Sequence, residues 1–193
     1  MASYNPFTLE GKSILITGAA GGIGRATAVE CAKLGANLIL TDINEDGLRT
    51  TLAELEDSDL HRYIVANLTI DEEIDRLVGE IDKLDGFVSN AGVTKPALVK
   101  FINREDLERI MSINAMAPMF LTQRLLKKKK FVRGASIVFT VSIGGVYTTA
   151  IANAMYGSSK GALQVFMKNV ALESAVNGIR WLSSSAAHVL STG

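Results

Sequence analysis

A chain of 193 residues with 20 Lys plus Arg against 20 Asp plus Glu carries no formal net charge, which argues against the basic footprint that nucleic acid or an anionic membrane surface requires. The length suits one domain able to bury roughly 70% of the surface its unfolded form would expose, with a small molecule as the expected partner. The single cysteine, Cys31, excludes an internal disulfide, and its neighbours Val29, Ala32 and Leu34 indicate a packing role in a reducing, cytoplasmic setting.

No apolar run approaches the roughly 18 to 20 residues of a membrane span, and Met1 to Lys12 lacks a basic-then-apolar leader, so a soluble, unprocessed chain is expected. Short β-rich runs then alternate with helical periodicity. Ser13 to Thr17 reads as a strand, Ile23 to Leu34 as a helix and Asn37 to Thr41 as a second strand. Leu48, Leu52 and Leu55 mark the next helix, Arg62 to Val65 a third strand, and Ile74, Leu77, Val78 and Ile81 the helix after it. Gly86 to Ser89 is a fourth strand. A longer helix starts after Asn103 as N-cap and is expected to distort at Pro118, with Asn114 on its apolar side. Ala135 to Val141 is a buried fifth strand, and a helix from about Ala152 ends at Asn177-Gly178. The alternation predicts a single α/β domain over residues 1–193: a Rossmann-type, doubly wound parallel sheet flanked by helices in three layers.

Thr17-Gly18-Ala19-Ala20-Gly21-Gly22-Ile23-Gly24 joins the first strand to the first helix, where a dinucleotide pyrophosphate would rest on the helix N-terminus. The glycines permit positive φ and close backbone approach, although a turn required only for packing has the same composition. Asp42 ends the second strand about twenty residues on, where an acid can accept hydrogen bonds from adenosine ribose hydroxyls; an ordinary turn acid is the alternative. No Arg or Lys stands at Ala19 to Gly22 or at Ile43 and Asn44 to pair a 2′-phosphate, and Arg25 is the only nearby cation. This favours NAD over NADP.

Tyr156 and Lys160 share a helix face about 6 Å apart along the axis. A phenol is a poor acid or base near neutrality until a cation favours its phenolate. That spacing alone is weak evidence. Ser142 follows the fifth strand, where its hydroxyl can polarise a carbonyl; Asn114 is an amide on an apolar face; Asn90-Ala91-Gly92 ends the fourth strand with small residues against which a cofactor can lie. Each has a structural explanation as a turn residue or satisfied amide, and their combination carries the functional reading.

In the order and spacing of Thr-Gly-x-x-x-Gly-Ile-Gly, Asn-Ala-Gly, the Asn of Ser-Ile-Asn, the Ser of Thr-Val-Ser and Tyr-Gly-Ser-Ser-Lys, the chain resembles the short-chain dehydrogenase/reductase family over nearly its whole length. Within the single-domain branch it most resembles 3-oxoacyl-(acyl carrier protein) reductases and broad alcohol or sugar dehydrogenases. The resemblance implies that Tyr156 is the general acid/base, Ser142 orients the substrate oxygen, Lys160 holds the nicotinamide ribose and shifts the tyrosine, and Asn114 supports a water relay to Lys160. It also implies cofactor contacts from Gly18, Gly22, Ile23, Gly24, Asp42, Asn67, Leu68, Asn90, Ala91 and Gly92, and a homodimer or homotetramer built on the two long helices. A catalytically silent nucleotide-binding regulator of the same fold is the alternative function.

Two departures stand out. The family usually has Asp where Asn67 precedes Leu68-Thr69, and an Asn meets adenine as both donor and acceptor. After Arg180, the family's sixth strand would run into a Pro-Gly turn and a covering helical segment, whereas here Trp181 to Gly193 looks like the stretch leading into its last strand. About 40 to 60 residues are therefore expected to be missing between Arg180 and Trp181, together with the final strand. A longer chain whose intervening residues are not in this sequence is the reading favoured over a shortened protein, which would expose core surface. Lys127 to Lys130 form a basic run suited to a helix C-terminus, with docking of an acidic acyl carrier as the second reading. His61 is expected in a loop and His188 on the surface, neither with the partners of a metal ligand.

Overall fold

Ile14 and Ile16 point to one side of the first strand and Leu15 to the other, and all three are buried, as happens when a parallel sheet is covered on both faces. The computed structural model describes residues 5–145 and 147–186. In chain order it contains β1 (Ser13–Thr17), α1 (Gly22–Lys33), β2 (Asn37–Asp42), α2 (Glu45–Ala53), β3 (Arg62–Val65), α3 (Asp71–Gly79) and β4 (Leu84–Ser89). There follow α4 (Arg104–Met111), α5 (Ala117–Lys127), β5 (Phe131–Ser142), α6 (Ala154–Ser174) and β6 (Arg180–Ala186). The strands make one six-stranded sheet in the order β3-β2-β1-β4-β5-β6, and all the pairings are parallel. Strand order reverses between β1 and β4, which opens a crevice at their carboxyl ends. The α/β Rossmann-type architecture is the one the alternation predicts.

Two apolar layers clamp the sheet. On one side Ala28 of α1 and Leu48 of α2 meet Ile14, Ile16, Leu38 and Leu40. On the other, Ile74 and Leu77 of α3, Leu121 of α5 and Leu163 of α6 meet Leu15, Phe87 and Phe139. Asn44 and Asn103 cap α2 and α4 by accepting from the N–H groups of Gly47 and Asp106, at 3.0 and 2.8 Å, and Gly178 ends the α6 region in the left-handed conformation. Cys31 packs against the first layer, where burial pushes its thiol pKa up.

The structure departs from the sequence reading in four places. The distortion of the long helix after Asn103 lies just ahead of Pro118: Ser112–Met116 forms a π-turn that joins α4 to α5 without interrupting the helix. β5 extends beyond the expected Ala135–Val141 at both ends. His61 is in a loop but buried, its Nδ1 accepting from Leu38 N–H at 3.2 Å and its Nε2 placed 2.8 Å from the Glu56 carbonyl, so it ties β2 to the turn before β3. Arg180 and Trp181 lie side by side in an unbroken strand, paired with Ser136 and Ile137, so the point where a segment is expected to be missing falls inside β6. His188 lies outside the described residues. Among those described, no helix is long and apolar enough to cross a membrane.

Phe139 of β5 anchors the sheet's right half. It is fully buried, stacks on Trp181 of β6 at 5.8 Å between centroids, and meets Phe87 and Phe166 edge-on at 6.2 and 6.3 Å. Replacing it with Ala is expected to lower the unfolding free energy by about 3 to 5 kcal/mol. Urea titration checks this, and a loss near zero would mean that the aromatic cluster does not hold β5 to β6.

Candidate active site

The turn after β1 is held by Thr17, whose buried hydroxyl accepts from the N–H groups of Asn90 and Ala91 at 3.0 and 3.1 Å. Two of its glycines are packing glycines. At φ +66°, Gly18 would bring a Cβ to 2.8 Å from the Ala91 Cα, and a Cβ on Gly24 would overlap the Gly18 carbonyl oxygen. Gly22 is different: it has φ +53° but faces open space. No side chain caps α1 and no acid occupies its first turn, so its leading N–H groups remain available to an anion.

Asp42 ends β2 beside this turn. Its carboxylate accepts from Ala20 N–H at 3.2 Å and Asn44 N–H at 3.1 Å, which orients it at the cleft edge with lone pairs to spare. Arg25 is committed elsewhere: it donates to the Thr51 hydroxyl at 3.0 Å and the Ala20 carbonyl at 2.7 Å, and pairs with Glu54 at 3.2 Å. Asn67 and Leu68 follow β3 on the same side of the cleft.

At the other end, Thr140 and Ser142 are two residues apart on β5. Ser142 Oγ accepts from Gly144 N–H at 3.1 Å, which leaves its own hydrogen to donate. Lys160 is 3% exposed, and its Nζ donates to the Thr140 carbonyl at 2.7 Å while lying 5.8 Å from the Tyr156 ring centroid. Burial lowers the Lys160 pKa to about 8. Burial also raises the Tyr156 phenol above its ordinary value, against the pull of the Ser142 hydroxyl. The lowering of the phenol expected from Lys160 does not show in this arrangement, where loss of solvent outweighs the Ser142 contact.

Asn114 lies in the π-turn, wholly buried. Its Oδ1 accepts from Val93 N–H at 2.8 Å; its Nδ2 donates to the Val93 carbonyl at 2.8 Å and to Ser159 Oγ at 3.0 Å. Ser159 in turn donates to the Tyr156 carbonyl at 2.7 Å. A Cβ on Gly92 would reach 3.2 Å from Asn114 Oδ1 and 3.3 Å from Lys160 Nζ, so the glycine leaves room for both.

One cleft of about 550 Å³ brings together Gly18, Gly22, Ile23, Asp42, Asn67, Leu68, Asn90, Ala91, Gly92, Ser142, Tyr156 and Lys160, within the rough 300–1,000 Å³ range of small-molecule sites. Gly24 and Asn114 stand behind its wall. Glycine turn, anion-ready helix end and ribose-facing acid fit a dinucleotide along one half. A phenol, a hydroxyl and an ammonium group fit a reacting oxygen at the other. Sequence reasoning assigned no role to Thr17, Thr140 or Ser159. The Thr of the glycine motif and the second Ser of Tyr-Gly-Ser-Ser-Lys were the available signals, whereas Thr140 acts through its carbonyl and left none.

The family model for short chain dehydrogenases matches residues 12–192. A 3-oxoacyl-(acyl-carrier-protein) reductase of Rickettsia bellii (strain RML369-C) is 39% identical over 171 residues, covering 89% of this chain and 70% of the relative. The Thermotoga maritima protein of the same name is 33% identical over 178 residues, covering 89% and 72%. Among solved structures, the citronellol catabolism dehydrogenase of Pseudomonas aeruginosa PAO1 superposes with a TM-score of 0.86 at 22% identity, over 95% of this chain and 77% of that one, a likeness of fold.

Two predictions follow from the packing. Gly24→Ala is expected to cost about 3 kcal/mol or more in urea unfolding because backbone must move. Gly22→Ala should cost only about 1 to 2 kcal/mol in left-handed strain while weakening dinucleotide binding in fluorescence titration; equal losses of stability would make both packing glycines. Lys160→Met should raise the unfolding free energy at pH 7 by about 2 to 3 kcal/mol, since it removes a buried charge whose pKa falls from 10.5 to about 8 on folding. The wild-type penalty is complete below pH 8 and relieved as pH rises toward 10.5, so the stability gap should narrow across that window. Denaturant melts at pH 7 and pH 10 test this, and a constant gap would contradict it.

Proposed function

The chain belongs to the short-chain dehydrogenase family and is an oxidoreductase acting between CH–OH and C=O, and from that premise we propose that it reduces the keto group of a 3-oxoacyl thioester with NADH. The observation that carries this reading is the convergence of Ser142, Tyr156 and Lys160 on one cleft with the glycine turn. A nicotinamide cofactor, when bound, supplies the hydride. Ser142 Oγ–H, freed by the Gly144 contact, holds the substrate oxygen. Tyr156 Oη–H gives that oxygen its proton, and the upward shift of its pKa keeps the phenol protonated, as an acid in the reductive direction must be. Lys160 places an ammonium group beside the phenol in the cleft wall, where it would hold a ribose hydroxyl of the cofactor. Its pKa of about 8 sets the upper pH limit for the charged form.

NAD rather than NADP is supported by Asp42, whose charge would oppose a 2′-phosphate, and by the full engagement of Arg25. The two reductase relatives support the thioester substrate, borne free or on an acyl carrier. The basic run gives docking little support. Lys127 to Lys130 immediately precede β5, at the end of the sheet opposite the crevice, and Lys130 is tied to the Ile81 carbonyl. The covering segment is proposed to be missing at Arg180-Trp181, a reading to which the exposure of Val99 and Phe101 in the segment after β4, at 73% and 67%, lends support. Exposed Phe120, Val165 and Leu172 on α5 and α6 support a homodimer or homotetramer. The reducing-compartment composition supports a cytoplasmic setting.

The test is a screen of 3-oxoacyl thioesters, alcohols, sugars and hydroxysteroids followed by NADH or NADPH absorbance, repeated with Tyr156→Phe. Turnover of the best substrate is expected to fall about 10² to 10⁴-fold with cofactor affinity little changed. Full turnover by the variant would reject the acid role.

A further inference from the structure

The two alanines of the glycine turn face away from the cleft. Gly18, Gly21, Gly22 and Ile23 line it, whereas Ala19 and Ala20 between them do not. Their peptide groups all bond to the protein behind the turn. Ala19 N–H donates to the Thr41 carbonyl at 3.3 Å and Ala20 N–H to Asp42 Oδ2 at 3.2 Å. The Ala19 carbonyl accepts from Thr51 Oγ1 at 2.8 Å, and the Ala20 carbonyl from Arg25 Nη2 at 2.7 Å. These last two bonds are joined, because Arg25 Nε also donates to Thr51 Oγ1 at 3.0 Å. A fully buried hydroxyl of α2 thus fastens that helix to the turn. The approach is close: a Cβ on Gly47, in the first part of α2, would stand 2.7 Å from the Ala20 Cβ and 2.8 Å from the Ala20 carbonyl oxygen.

In a trans peptide the carbonyl and the N–H point in opposite directions. The Ala20 carbonyl, held toward Arg25, therefore turns the Gly21 N–H the other way, toward the cleft that Gly21 lines. Among the described residues that N–H has no hydrogen-bond partner. Gly21 and Gly22 follow, and glycine backbone has little preference of its own with which to keep that direction. Resting on the dinucleotide reading of the cleft, we infer that Thr51 and Arg25 are positioning residues for the cofactor's pyrophosphate. Neither lines the cleft, so neither touches the ligand. They hold the Ala19 and Ala20 carbonyls back against α2, and this aims the N–H groups at the head of α1 forward. Helix α2 acts here as the anchor of the anion-binding turn as well as a cover for the sheet.

The experiment is equilibrium binding without substrate, by calorimetry and nucleotide fluorescence, of NADH, ADP-ribose and adenosine to the whole chain. Thr51→Val removes the hydroxyl at nearly constant volume, and Thr51→Ser keeps it. Thr51→Val is expected to bind NADH and ADP-ribose about tenfold more weakly, the effect of about one hydrogen bond to a charged group, while adenosine, which has no phosphate, changes by less than about twofold. Thr51→Ser is expected to stay within about threefold of the unaltered protein for every ligand. Arg25→Met, at a side chain 29% exposed, carries the same expectation as Thr51→Val and decides the matter where that variant does not fold. An unchanged NADH affinity in a folded variant, judged by its thermal midpoint, overturns the inference. So does an equal weakening of all three ligands, which is what a merely structural role gives, or a Thr51→Ser protein as weak as Thr51→Val. Failure of the unaltered protein to bind NADH and ADP-ribose rejects the dinucleotide reading itself, a result distinct from any of these.

Discussion

One buried amide joins the parts of the cleft that chemistry must keep in register. Asn114 grips the backbone of Val93 through both its polar atoms and reaches Ser159, which holds the Tyr156 carbonyl. The loop beyond β4 and the start of α6 are thereby fixed to the same side chain. An α-helix of regular pitch would carry that side chain past its partners, and the π-turn at Ser112–Met116 supplies the local widening. The amide is costly to bury unless every bond is made, so the arrangement is held nearly all or none.

The same economy governs Lys160. Its side chain is almost wholly removed from water and, among the described residues, has a single hydrogen-bond partner, the Thr140 carbonyl, which makes it a poor contributor to stability. The fold tolerates the charge because β5 and α6 are pinned elsewhere, by the aromatic stack of Phe139 on Trp181 and by the bond from Trp181 Nε1 to Ser174 Oγ at 2.5 Å. Packing around Phe139 thus supports a costly electrostatic environment at its neighbour Thr140.

Most strands and helices were legible because their side chains carry the period. Ile14 to Ile16 sort onto alternate faces, and Ile74, Leu77 and Val78 onto one. The glycine turn and the Tyr156–Lys160 pair were legible for a related reason: their spacing is local. What escaped the sequence was made of backbone. Val93 and Thr140 act through peptide groups that any residue possesses, and Pro118 signals a distortion of the helix without specifying that it takes the form of a π-turn over Ser112–Met116. The direction of the Tyr156 shift also escaped, because four-residue spacing reports a shared face and says nothing of how much water reaches it. The extent of β6 was not legible: Trp181 onward resembles a stretch leading into a later strand, Leu182-Ser183-Ser184-Ser185 lacks branched side chains, and pairing with β5 makes it part of the sixth strand.

That strand ends the sheet, and among the described residues no further strand pairs with its outer side. Arg180 is its only charged residue, and its guanidinium is bonded to Ser136. The outer row of peptide groups from Trp181 to Ala186 therefore has no proline to interrupt it and no lysine to repel a newcomer. Small hydroxyl side chains present little bulk against an approaching backbone. Within the described residues, the peptide groups on that margin are of the kind a neighbouring strand would pair with.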